Sequence, residues 1–124
     1  MADGDARPKP LRWVGDSRKQ IQGFPEPVKD QVGQALWVAQ EGSKHPSAKP
    51  LKGFKGAAVL EVVQDFDGDT YRAVYTVRLK SAVYVLHCFQ KKSRRGAETP
   101  RTDMNLVMER LRAAERDERE RRTT

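Results

Sequence analysis

Two hydrophobic periods divide the chain. Between residues 26 and 40, Val28, Val32, Leu36 and Ala39 recur three or four positions apart. That spacing gathers side chains on one stripe of an α-helix. Pro25 or Pro27 suits its start, and Gly42 suits its stop. Upstream, Leu11, Trp13 and Val14 form a short strand candidate. Asp16 or Ser17 can cap a short helix that carries Ile21 and Phe24 on one side. The two helical segments predict a hairpin.

After the turn-rich basic stretch SKHPSAKPLKGFKG (43–56) the period becomes two. AVLEVV (58–63), YRAVYTV (71–77) and AVYVLHCF (82–89) are short and rich in β-branched residues. DFDGDT (65–70) puts Asp-Gly between the first two runs, the strongest short hairpin signal, and Arg78 to Ser81 makes a second turn. The expectation is a three-stranded antiparallel meander. Strict alternation places Arg72, Val74 and Thr76 on one side of their strand, and Val83, Val85, His87 and Phe89 on one side of theirs. Thr99 as cap and Pro100 at the first helical position open a last helix, with Met104, Val107, Met108, Leu111 and Ala114 as its apolar stripe. Residues 1–9 read as a loose polar arm. Residues 10–114 read as one domain, and 115–124, without an apolar anchor, as a solvated or frayed tail. Strand, two helices, three strands and a helix imply an α+β domain, with the helices on one sheet face and the other face open.

Charge sharpens this picture. The chain has 124 residues, enough for one small core, and a net charge of +7. From Thr70 to Ala97 it contains no Asp or Glu, yet Arg72, Arg78, Lys80, Lys91, Lys92, Arg94 and Arg95 fall there. Such an excess favours nucleic acid, an anionic membrane or an acidic protein as partner. Cys88 is the sole cysteine, so no internal disulfide can form, which suits a reducing cytosol. No signal-like h-region and no apolar run of membrane-spanning length occurs. The expectation is a soluble cytoplasmic protein.

The stretch YVLHCFQKKSRRGAETP (84–100) is the chemical focus. An apolar strand empties into Lys91, Lys92, Arg94 and Arg95 with no interleaved acid, and Gln90 and Ser93 add hydrogen-bonding capacity. Charge runs are usually solvated turns; this one fits phosphate oxygens better. His87 in an apolar strand is more often a satisfied structural histidine than a reactive one. Arg72, in mid-strand, can snorkel to an edge, pair with Glu61 or reach a ligand. Asp65, Asp67 and Asp69 do not make a calcium loop, because Thr70 and Thr76 stand where Gly and Glu are needed. His45, His87 and Cys88 are too few for a metal site, and no phosphate-binding loop, dinucleotide fingerprint or nucleophile elbow is present.

The runs QALWVAQEG, KPLKGFKGAAVLEV, DGDTYRAVYTVR, AVYVLHCFQKKS and GAETPRTDMNLVMERL, in that order, resemble the HigB-type, phage-associated branch of the RelE/ParE toxin superfamily. The resemblance covers Trp13 to Ala114, and the FQKKS-to-TP segment is its most specific part. It implies a RelE/ParE-like fold and a type II toxin that cleaves mRNA on the ribosome without metal or cofactor. It also implies a helix-turn-helix antitoxin as partner, and binding of the complex to operator DNA through that antitoxin. By resemblance, Arg72 lies at the scissile phosphate, and Lys91 and Lys92 are catalytic or RNA-contacting. Lys52, Lys55, Arg94 and Arg95 are RNA-binding. His87 is the general acid or base by intrinsic pKa, with Tyr75 a weaker alternative for that role and an RNA-binding candidate. Glu61 orients Arg72 or acts as base. Where many relatives carry a basic residue soon after this glutamate, Val62 and Val63 stand here. A ParE-like inhibitor of gyrase and a nucleic-acid-binding relic remain alternatives, since fold alone does not decide function.

Overall fold

A computed structural model describes residues 7–54, 56, 58–91 and 99–122. In chain order its elements are β1 (Leu11–Trp13), α1 (Ser17–Gln22), α2 (Glu26–Gln40), β2 (Ala48–Pro50), β3 (Val59–Phe66), β4 (Asp69–Thr76), β5 (Val83–Lys91) and α3 (Arg101–Arg122). The expected meander β3–β4–β5 is the middle of a five-stranded sheet ordered β1-β5-β4-β3-β2. The Asp-Gly signal holds: Asp67 and Gly68 both take positive φ, 53° and 86°, between paired Phe66 and Asp69. A two-residue hairpin loop with the strands' own twist requires that conformation.

Two strands flank the meander. β1 runs parallel to β5, with Leu11 opposite Val83 and Trp13 opposite Val85. β2 pairs antiparallel with β3. It lies inside the stretch that the sequence presents as a loop. Three residues, two of them Lys and Pro, carry no alternation to detect, and Pro50 is tolerated because β2 is an edge.

The helices do not share one face, as the sequence-based expectation had it. Ile21, Phe24, Val28, Val32, Ala35, Leu36 and Ala39 of α1, α2 and their link pack on Leu60, Val62, Tyr71, Ala73, Tyr75, Val83 and Val85. Val107, Leu111 and Ala114 of α3 pack on Val59, Val74, Tyr84 and Leu86, with Leu51 and Phe54 closing that cluster. The reason lies in β4, where every residue from Thr70 to Thr76 is buried. A strand buried on both parities is covered on both sides.

The expected frayed tail also differs. α3 continues through Arg122. Its last turns have no apolar anchor but do have polar ones. The carboxylate of Glu118, 4% exposed, accepts hydrogen bonds from the Ser81 N–H and hydroxyl in the turn before β5. The Tyr84 hydroxyl donates to Asp117 Oδ2 at 2.7 Å. A search for apolar periodicity passes over such contacts. No helix among the described residues is long and apolar enough to cross a membrane.

Candidate functional site

The site depends on one irregularity in β5. Opposite β4 the register runs Arg72–Phe89, Ala73–Cys88 and Val74–His87, then jumps to Tyr75–Val85. Leu86 is the extra residue of a β-bulge, so Leu86 and His87 both turn toward α3. Period two therefore fails here: Val83 and Val85 face α1 and α2, whereas His87 and Phe89 face α3. The slip carries His87, Phe89 and Lys91 to the side that holds Arg72.

Three rows of side chains then cross that side of the sheet. The outermost is Asp65, Thr70 and Lys91; the next Val63, Arg72 and Phe89; the third Glu61, Val74 and His87. Glu61, Arg72, His87 and Lys91 are thus brought together on one face. Glu61 and His87 stand two strand spacings apart, ~10 Å.

Arg72 is nearly buried, with 5% of its side chain exposed, and it is paired. Its Nη1 donates to Glu61 Oε2 at 3.0 Å and to Thr99 Oγ1 at 3.0 Å. The Thr99 hydroxyl in turn donates to Glu61 Oε2 at 2.9 Å. The triangle closes because Thr99, expected to cap α3, sits two residues before its first turn and turns its hydroxyl to the sheet. A buried guanidinium needs such partners, since an uncompensated charge at this depth is costly.

His87 makes a second polar group beside the first. Its Nε2 lies 2.7 Å from Asp103 Oδ1 in the first turn of α3. Its ring stacks on Phe89, with centroids 4.7 Å apart. Arg110 Nη1 reaches the Leu86 carbonyl at 3.0 Å and His87 Nδ1 at 3.4 Å. A guanidinium has only donors, so Nδ1 can accept from Arg110 only in the tautomer whose Nε2 carries the proton and donates to Asp103. The arrangement can bind an anion, shuttle a proton and orient the ring that does so. Among the described residues no group of three His, Cys, Asp or Glu is placed to hold a metal ion.

The other sequence candidates divide. Lys91 ends β5 on the Arg72 side and is half-buried. Lys52 is exposed in the loop after β2. Lys55, Lys92, Arg94 and Arg95 lie outside the described residues. Tyr75 does not fit its expected role. It faces α1 and α2, is fully buried, and its hydroxyl has no hydrogen-bond partner among the described residues. Burial pushes its phenol up to about 12. The reason is parity: Tyr75 is an odd-numbered residue of β4, and Arg72 an even one. Trp37, in α2, stays 48% exposed.

Sequence reasoning missed Thr99 as a site residue, and Asp103 and Arg110 altogether. A signal existed for the last two. They stand seven residues apart, two helical turns, at the edge of the stripe Met104, Val107, Leu111. Opposite charges so placed point at whatever the stripe packs on.

The family model "Phage derived protein Gp49-like (DUF891)" matches residues 19–112, well over half the chain, a span that includes Glu61, Arg72, His87, Thr99, Asp103 and Arg110. A chain of the crystallised toxin–antitoxin complex RelBE2 from Mycobacterium tuberculosis is similar over 73% of this chain and 100% of its own, at 18% identity and a TM-score of 0.44. No curated protein matches the sequence. The chain belongs to the phage derived Gp49-like family, a RelE-type toxin family.

Proposed function

We propose that this chain is the toxin of a type II toxin–antitoxin pair of HigB type. In this proposal it acts as a metal-independent endoribonuclease that cuts mRNA on the ribosome and is held inactive by a helix-turn-helix antitoxin. One observation carries the reading. The β5 bulge sets His87 and Lys91 on the face where Arg72 is held by Glu61 and Thr99. A cation, a carboxylate and an imidazole within a few sheet rows are the groups that RNA self-cleavage requires.

In that reaction the 2′-oxygen attacks the adjacent phosphorus and the P–O5′ bond breaks. The products are a 2′,3′-cyclic phosphate and a free 5′-hydroxyl. Glu61 now occupies the place at the guanidinium that a phosphate oxygen would take. An entering phosphate exchanges with it, so Arg72 and Lys91 meet the charge that grows on phosphorus. The released Glu61 carboxylate accepts the 2′ proton. His87, oriented by Asp103, gives a proton to the leaving 5′-oxygen from its doubly protonated ring, whose Nδ1 then no longer accepts from Arg110. Lys52 and the cations of residues 92–95 supply phosphate contacts along the strand.

The test is induced expression of the native chain, Arg72→Ala and Lys91→Ala, with growth and transcript 5′-end mapping as readouts. The native chain is expected to arrest growth and create new mRNA ends. Arg72→Ala is expected to lower cleavage by about 10²–10³-fold, the usual loss for one donor to a transition-state oxyanion. Growth arrest without new ends would overturn the reading and make gyrase the first target to assay.

A further inference from the structure

The mechanism above uses His87 and leaves Arg110 unexplained. Only 13% of the Arg110 side chain is exposed, and its guanidinium meets two segments, β5 and the loop between β1 and α1. From α3 it donates to the Leu86 carbonyl at 3.0 Å and approaches His87 Nδ1 at 3.4 Å. Its Nη2 donates to Asp16 Oδ1 at 2.8 Å, and this hydrogen bond holds the Asp16 carboxyl below the usual range. It passes so close to Gly15 that a Cβ there would stand 2.6 Å from Cζ. Gly15 also has φ of +59°, so a side chain is disfavoured twice.

The contacts converge on the bulge. Val85 and Leu86 are the residues at which β5 slips against β4. The Val85 carbonyl accepts from the Val14 N–H at 2.9 Å and from the buried Ser17 hydroxyl at 3.2 Å. The Leu86 carbonyl accepts from Arg110. Both carbonyls are thus satisfied from outside the β4 ladder, as buried acceptors must be. Without those donors, a regular register would bring His87 to the other face of the sheet.

We propose that Arg110 is a positioning residue for RNA cleavage, clamping the β5 bulge at the Leu86 carbonyl and the ring of His87 at Nδ1, with Gly15 as the gap its guanidinium needs and Asp16 as its anchor. The inference rests on the ribonuclease reading of His87. Arginine suits the task because its planar fork serves several acceptors at fixed angles, which a lysine ammonium cannot reproduce. Displacement of a reacting group by ~1 Å can cost on the order of 10²-fold in rate.

The experiment uses the full chain, native and as Arg110→Lys, Arg110→Gln and Gly15→Ala. Single-turnover cleavage of mRNA on programmed ribosomes gives the rate constant and the half-saturating toxin concentration separately. Ring nitrogen NMR of His87 and thermal melting are measured on the same samples. Arg110→Lys is expected to melt near the native protein, yet to cleave on the order of 100-fold more slowly at unchanged half-saturation. Its Nδ1 resonance should move from a hydrogen-bonded to a free acceptor. Gly15→Ala, which leaves Arg110 in place and crowds it, should move both readouts the same way. The proposal is overturned if the His87 ring resonances stay native in all three variants, or if the rate falls only in step with melting. A native chain that cuts no RNA sinks the ribonuclease reading instead; the NMR readout still decides whether Arg110 places the ring.

Discussion

The two faces of the sheet use the same strands and differ in what they bury. Toward α1 and α2 the cluster is apolar throughout, from Val32 and Leu36 to Tyr71, Ala73 and Val85. Even its polar atoms are silenced: the Cys88 thiol and the Tyr75 phenol are both pushed up to about 12 by burial. Toward α3 the cluster is apolar around Val74, Leu86 and Val107. Next to it lie Glu61, Arg72, Thr99, His87 and Asp103, each hydrogen-bonded to another of that set. Polar groups accumulate in a core only where each has a partner. A face that holds so many is built for exchange of partners, and a face whose few polar atoms are sealed from water is built to stay shut.

The comparison breaks most directly at Glu61. If Arg72 is a buried charge balanced by one carboxylate, Glu61→Ala should destabilise the fold by about 3–5 kcal/mol, the usual result of removing one partner from a buried pair. Glu61→Ala combined with Arg72→Met should recover most of that loss, because the orphaned charge is gone. Urea denaturation of the single and double variants measures both. A loss under ~1 kcal/mol for Glu61→Ala would mean that the guanidinium is already solvated and that the two faces are less different than described.

How much of this contrast was legible beforehand depends on the kind of signal. The helical stripe of α2, the Asp67-Gly68 hairpin and the α3 stripe are periodic, and they survive in the structure. Glu61 and Arg72 could be matched as a pair because both sit on regular strands. The bulge at Leu86 leaves no periodic trace, so the face of His87 was out of reach. Side chains with two possible uses misled as well. Asp16, Ser17 and Thr99 all suit helix caps, yet their side chains go to Arg110, Val85 and the Glu61–Arg72 pair. Capping propensity is local, and a buried acceptor at long range outbids it.

A smaller effect sharpens the contrast from the far end of α3. Glu118 is a buried carboxylate whose partners are the Ser81 N–H and hydroxyl, and it takes the place of an apolar anchor. Glu118→Ala should cost about 1–3 kcal/mol, since it leaves those donors without an acceptor. Amide hydrogen exchange should show the loss confined to residues after Ala114. Exchange that rises equally at Val107 would show instead that the whole helix leaves the sheet as one unit.

The smallest effect tests the shut face. The Tyr75 hydroxyl is buried without a partner among the described residues, so Tyr75→Phe removes a polar group that gains nothing from its surroundings. Stability at neutral pH should change by less than ~0.5 kcal/mol or rise, and RNA cleavage should stay native. Alkali then separates the two proteins. The folded phenol titrates at about 12 against 10.0 for an ordinary one. Its contribution is fully present below pH 10 and is lost as pH rises from 10 through 12, because the unfolded chain ionises first. Tyr75→Phe should flatten the fall of stability across that window. Cys88, raised from 9.0 to about 12, should leave in both proteins a residual decline that begins near pH 9. Identical alkaline profiles would show that water reaches the Tyr75 hydroxyl, and the α1–α2 face would then be no tighter than the one that holds Arg72.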